Sequence, residues 1–287
     1  MYTVTKGTRG AYVAYFLTDT AANTTATIVP EKGGMATEFS QNGTEYLWLR
    51  EPNFSLPERP RCAVPVLFPA CGRCADGENI FDGKAYPMDI HGFAHSMPWQ
   101  VTGQNTDDGA ALTIELKDND ATRKFYPFAF CVTLTYVLKG NKLTVLQTYQ
   151  NTGDVAMPFN FGFHPYFAIS DVRNLVWDIH ASSQVDADFA NPIPMPATVD
   201  FPYDPDQTTR FFQGVTSPMF FTDTKLNRTV TVNFDTHSTN AVLWSQCELG
   251  FVCMEPWNGF PNSLQTDRHE TLAKGEALHA EMSIVIA

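Results

Sequence analysis

Two distant segments carry side chains suited to moving protons: Gly162-Phe163-His164-Pro165-Tyr166-Phe167 and Met254-Glu255-Pro256-Trp257. An imidazole gripped between aromatic rings and a proline has little freedom, and a carboxyl among methionine, proline and tryptophan sits in apolar company that should raise its pKa. Facing one cavity, the two could exchange protons near neutral pH. Taken alone, His164 matches a satisfied core histidine, the more common fate of a lone histidine among aromatic rings. Glu255 shifts the balance, because it follows the apolar run Phe251-Val252-Cys253-Met254. An unpaired charge buried there would cost on the order of several kcal/mol.

Other patterns offer less. His91 and His95, in Asp89-Ile90-His91-Gly92-Phe93-Ala94-His95, have a spacing that would suit a metal on a helix. Gly92 and the turn-like Phe81-Asp82-Gly83-Lys84 argue against a helix, and a third ligand is not evident, so no metal is expected. Arg61, beside the apolar stretch Cys62 to Pro69, and Arg73 just beyond could fork onto a hydroxyl, carboxylate or phosphate, or form structural ion pairs. Cys71-Gly72-Arg73-Cys74 has redox or half-zinc spacing without a second cysteine pair, and the six dispersed cysteines read as buried thiols of a reducing compartment. Glycine-rich nucleotide loops and a G-x-S-x-G elbow are lacking.

The elements that must position these residues read as strands. Apolar residues make up 44% of the 287 and charged ones only 17%, the balance of a protein with a large core. A net charge of −12 repels phosphate backbones and anionic membrane surfaces, so neither nucleic acid nor membrane is an expected partner. The N-terminus has no basic start followed by an apolar run, and the expected location is the cytoplasm. Alternation is clearest in a hairpin, Phe130 to Leu138 with Leu143 to Tyr149, joined through Lys139-Gly140-Asn141, and in Thr229 to Phe234. Further strands are expected over 11–17, 25–29, 111–116, 175–179, 241–244, 251–254 and 280–286. This makes an all-β protein, a large antiparallel β-sandwich, in one domain over 1–287. Glu51 to Pro87 and Ala187 to Asp206, rich in proline, read as long loops over a ligand pocket.

Taken in order, Arg61…Val64-Pro65…Phe68-Pro69, His91-Gly92-Phe93-Ala94, Trp99, Gly162 to Phe167, Glu255-Pro256-Trp257 and Lys274-Gly275-Glu276 resemble the aldose 1-epimerase (galactose mutarotase) family nearly end to end. The likeness is nearest to the branch of bacterial aldose epimerase-like proteins and hexose-6-phosphate mutarotases. It implies a galactose mutarotase-like supersandwich with a sugar cleft on its concave face, no cofactor, a small-molecule sugar or sugar phosphate as partner, and room for a homodimer. It assigns His164 as acid and Glu255 as base in opening and reclosing the ring. His91 and Arg61 become sugar ligands, with Arg73 and the ring of Trp257 beside them, and Asp223 is a counterpart of an additional acidic ligand. His95 stands where the motif usually carries arginine, which weakens the case for a phosphate. The competing readings are a non-catalytic sugar-binding or regulatory protein, and a lyase or hydrolase.

Overall fold

Residues 1–51, 54, 60–186, 189 and 191–287 are described by the computed structural model. Alternating side chains fold the best-patterned segment into the expected hairpin: Phe130–Lys139 pairs with Lys142–Asn151, from Phe130 opposite Asn151 to Lys139 opposite Lys142. Gly140, at φ +60°, supplies the left-handed conformation that a two-residue turn requires. Around this hairpin grows an eight-stranded sheet. Its order is Leu175–His180, Thr216–Asp223, Arg228–Phe234, Ala277–Ile286, Lys142–Asn151, Phe130–Lys139, Ala110–Lys117 and Gln100–Asn105.

A second sheet carries, in order, Ile193–Pro194, Ser183–Val185, Thr208–Gln213, Asn240–Ser245, Phe251–Trp257, Gly162–Phe163 and Val66–Leu67, with Tyr166–Ala168 also paired to Phe251–Trp257. A third, five-stranded sheet runs from Tyr2–Arg9 to Thr44–Glu45. All ladders between these strands are antiparallel, as expected of a sandwich. One contiguous apolar cluster joins the three sheets: Tyr136, Val145 and Ile284 from the first, Phe212, Leu243 and Met254 from the second, Ile28 and Phe39 from the third. Each such side chain contributes about 1.5–3 kcal/mol by leaving water.

The strand Phe251–Trp257 is buried along its whole length. Val252 and Met254 enter the main core, whereas Phe251, Cys253 and Trp257 pack in separate clusters on the opposite face. Because both faces are apolar, the two-residue period is invisible in the sequence and the segment reads as a continuous run.

Three expectations change. Pro256 lacks the N–H a ladder uses, so the pattern ends at Met254, yet pairing continues to Trp257, opposite Gly162 and Asn240. The stretch expected as a loop from Glu51 to Pro87 contains Val66–Leu67 and a hairpin, Glu78–Phe81 with Lys84–Pro87, turned by Asp82-Gly83. Ile193–Pro194 adds a short strand within the second proline-rich stretch at a sheet edge, where a missing N–H is tolerated. The remainder of that first stretch at 52, 53 and 55–59, and of the second at 187, 188 and 190, lies outside the described residues. Polar edge strands such as Tyr2–Arg9 and Gln100–Asn105 show too little apolar alternation to be read locally. Among the described residues no helix is long and apolar enough to cross a membrane.

Candidate active site

Strand alternation puts Cys253, Glu255 and Trp257 on one face of the central strand. Register then brings them neighbours: Val242 opposite Glu255, Trp244 and Tyr166 on either side of Cys253, and Gly162 opposite Trp257. A Cβ on Gly162 would stand 2.8 Å from the Pro256 carbonyl oxygen, so the two chains approach this closely only at glycine. That approach delivers His164 to Glu255. The Nε2 and Oε1 atoms lie 3.4 Å apart, with the His164 side chain 12% and the Glu255 side chain 1% exposed.

Each member of the pair is held. The Trp257 indole N–H donates to Glu255 Oε2 at 3.1 Å, from two residues along the same face. Burial opposes ionisation of Glu255, while the indole donor and the imidazole favour it. The His164 ring stacks on Tyr166 at 4.7 Å between centroids, and Tyr166 is backed in turn by Trp48. Main-chain bonds from His164 to the Pro65 carbonyl, 3.0 Å, and from Tyr166 to that of Ala63, 2.8 Å, tie this corner to the segment after Arg61.

His91 closes one side of the site. It adopts a left-handed backbone, φ +69°, followed by Gly92 at φ +77°, where a Cβ would sit 2.2 Å from the Phe68 carbonyl oxygen. Only glycine fits there, which is the physical content of the His-Gly pair. The Gly72 N–H donates to His91 Nδ1 at 3.0 Å and the His91 N–H returns to the Gly72 carbonyl at 2.9 Å. In the neutral ring the proton is therefore on Nε2, making His91 a hydrogen-bond donor. Its ring meets those of His164 and Trp257 edge-on, at 5.2 and 5.3 Å.

These residues line a cleft of about 350 Å³, which also takes in Arg61 and Arg73. That is near the lower bound of small-ligand sites, about 300 Å³. Both arginines are exposed, and neither has an acidic partner within 4.0 Å among the described residues. The structure thus brings together six of the seven expected site residues.

The seventh, Asp223, is a correction. It lies outside the cleft lining and is 1% exposed, accepting from the Ser170 N–H and hydroxyl at 2.6 and 2.8 Å and from the Lys225 and Leu226 N–H groups at 3.1 and 3.0 Å. Its oxygens organise a turn, the role that aspartate favours locally. His95 also lies outside the cleft lining, in the short 3-10 helix Ala94–Ser96: it is buried, with Nε2 3.3 Å from the Ile90 carbonyl and Nδ1 2.6 Å from the Ser96 hydroxyl.

The thiols of the Cys71–Cys74 pair are separately hydrogen-bonded. Burial pushes the Cys71 thiol far above its ordinary value, and Cys71 donates to the Phe161 carbonyl; Cys74 is also pushed up by burial and accepts from Asn79.

Sequence reasoning missed Gln207, Thr209, Phe211 and Trp244, which complete the far wall. Thr209 and Phe211 alternate on Thr208–Gln213, just after the run of prolines ending at Pro205. Such an alternation was the available signal. Trp244 carries no local signal, since its face is chosen only by pairing with the central strand.

The model of the family described as aldose 1-epimerase matches residues 15–285. The protein Slr1438 of Synechocystis sp. PCC 6803 has the same fold at a TM-score of 0.91, with 29% identity over 100% of this chain and 99% of that one. A galactose mutarotase related enzyme from Lactobacillus acidophilus superposes at 0.78 with 24% identity, covering 96% and 97% of the two chains, a likeness of fold. A Salmonella typhimurium protein named "Putative glucose-6-phosphate 1-epimerase" is 29% identical over 205 residues, 70% of this chain. The chain spans 64% of the length of that curated relative. With the ordered motifs, the sandwich and a family match from residue 15 to residue 285 in agreement, this chain belongs to the aldose 1-epimerase family.

Proposed function

We propose that this protein, built as one unit over 1–287, interconverts the α and β anomers of a hexose. The observation that carries this reading is the His164–Glu255 pair, 3.4 Å apart at the base of the cleft. Glu255, as the carboxylate, takes the proton of the anomeric hydroxyl. His164, as the imidazolium, gives a proton to the ring oxygen, and the bond from C1 to that oxygen breaks. Rotation about C1–C2 presents the other face of the aldehyde. The ring hydroxyl then attacks C1, returning its proton to His164 while Glu255 protonates the carbonyl oxygen. Both groups end as they began, and no covalent intermediate forms. Positioned acid–base catalysis is worth about 10²–10⁴-fold per group, which suffices for a reaction that already proceeds in water.

The remaining wall supports this assignment. His91 presents a donor for a sugar oxygen, and Trp257 and Trp244 present ring surfaces for the apolar face of a pyranose. A glycosidase needs two carboxyl groups flanking the bond, whereas Glu255 is the one acidic residue in the lining among those described. Arg61 and Arg73 supply positive charge at the cleft of a chain with net charge −12, favouring hexoses with an anionic substituent such as a phosphate. The name of the Salmonella relative, "Putative glucose-6-phosphate 1-epimerase", supports the same reading. Six free cysteines suit a reducing compartment and favour the cytoplasm.

The test is anomer exchange by magnetisation-transfer NMR with glucose, galactose and glucose 6-phosphate. Exchange should accelerate in proportion to enzyme, most at low concentration for the phosphate. No acceleration with any of the three rejects the reading.

A further inference from the structure

Cys253 is not needed for proton exchange, yet it is built into the same corner. It shares the face of Glu255 two residues away and stands opposite Tyr166, on which His164 stacks. One ligand atom from each of His164, Cys253 and Glu255 lies within 4.8 Å of the other two. In a tetrahedral site with bonds of about 2.0–2.3 Å, ligand atoms stand roughly 3.3–3.7 Å apart. The 3.4 Å between His164 Nε2 and Glu255 Oε1 already matches one edge of such a tetrahedron.

We propose that Cys253 Sγ, His164 Nε2 and Glu255 Oε1 form a binding site for a thiophilic divalent cation of the Zn²⁺ type, and that the bound ion shuts off anomer exchange by occupying both proton-transfer groups. A thiolate, a carboxylate and a neutral imidazole around a dication sum to zero charge, the balance that a buried site demands. His164 and Glu255 both line the cleft, and the His164 side chain is 12% exposed. Hard ions such as Mg²⁺ and Ca²⁺, which seek six or more oxygens, are rejected. Ordered zinc motifs do not reveal this set, because two ligands are adjacent on one strand and the third comes from a distant loop.

Ion binding rests on the geometry alone, whereas inhibition rests on the proposed function, and the two are read separately. Cd²⁺ titrated into the intact protein should produce a sulfur-to-metal charge-transfer band saturating at one equivalent. Cys253→Ala should abolish the band and weaken binding by at least about 100-fold, more than loss of an outer-shell partner costs. With free glucose as substrate, Zn²⁺ should inhibit wild-type exchange competitively and reversibly with a chelator, while Cys253→Ala keeps its basal rate and escapes inhibition. No band, a band that persists in Cys253→Ala, or Zn²⁺ inhibition equal in the two proteins would overturn the site. Should Cys253→Ala not fold, Glu255→Gln and His164→Asn serve instead: each should lower Cd²⁺ affinity at least about 10-fold, and unchanged affinity overturns the site. Absence of exchange without metal would reject the proposed function and leave the binding result standing.

Discussion

Glu255 and Asp223 are both 1% exposed, and both sit on a strand of a large sheet, Glu255 within Phe251–Trp257 and Asp223 at the end of Thr216–Asp223. Their surroundings differ completely. Asp223 collects two main-chain N–H donors from the turn it closes and two more donors from Ser170, all fixed by local backbone geometry. Glu255 is set between an indole donor and a titratable imidazole, on a face that opens into a cleft. Burial alone does not mark a working carboxylate. What distinguishes it is whether its partners are permanent donors, which lock the anion, or a group that can itself exchange a proton.

The contrast can be tested in order of expected effect. Glu255→Gln and His164→Asn should each lower the rate of exchange about 10²–10⁴-fold with the thermal midpoint little changed; near-wild-type exchange in either variant removes that residue from the mechanism. Gly92→Ala comes next. It forces a methyl against the Phe68 carbonyl at a left-handed position, costing at least about 3 kcal/mol and displacing His91, so the unfolding temperature should fall and KM should rise. An unperturbed KM would separate His91 from sugar binding.

Trp257→Phe deletes the indole N–H while keeping an aromatic wall. Loss of a donor to the charged form of Glu255 makes ionisation harder, so the acid limb of the pH–rate profile should move to higher pH, with kcat about 10-fold lower below neutrality. A profile that merely scales down would make Trp257 a packing residue. Arg73→Ala and Arg61→Ala should each raise KM for glucose 6-phosphate about 10-fold, with free glucose unaffected, corresponding to one charge-assisted hydrogen bond. Equal effects on both sugars would place the arginines elsewhere in the mechanism. The smallest effect on activity belongs to Asp223→Asn. It should cost about 1–3 kcal/mol of stability in a denaturant titration and leave exchange at low temperature unchanged; a specific loss of rate would return Asp223 to the site.

Much of the sandwich was legible because strands such as Phe130–Lys139 and Arg228–Phe234 expose one face and bury the other, writing their period into the chain. Where both faces are buried, as in Phe251–Trp257, or where the strand is a polar edge, as in Gln100–Asn105, the pattern fades. The same logic governs the site. His164 and Glu255 stood out because a titratable group amid apolar residues is locally anomalous, and His91 because a glycine follows it in a motif.

Residue types and their immediate neighbours by themselves determined the strand class, the candidate proton-transfer pair and the glycines at Gly72, Gly92 and Gly162, since each reflects short-range sterics or the cost of burying charge. The assembly of the cleft was decided only by sheet register. Register chose which face of Asn240–Ser245 meets Glu255, brought Thr209, Phe211 and Trp244 to the far wall, and set Cys253 against the His164–Glu255 pair. A one-residue slip would send every one of those side chains to the opposite face, and nothing local in the chain records which of the two faces wins.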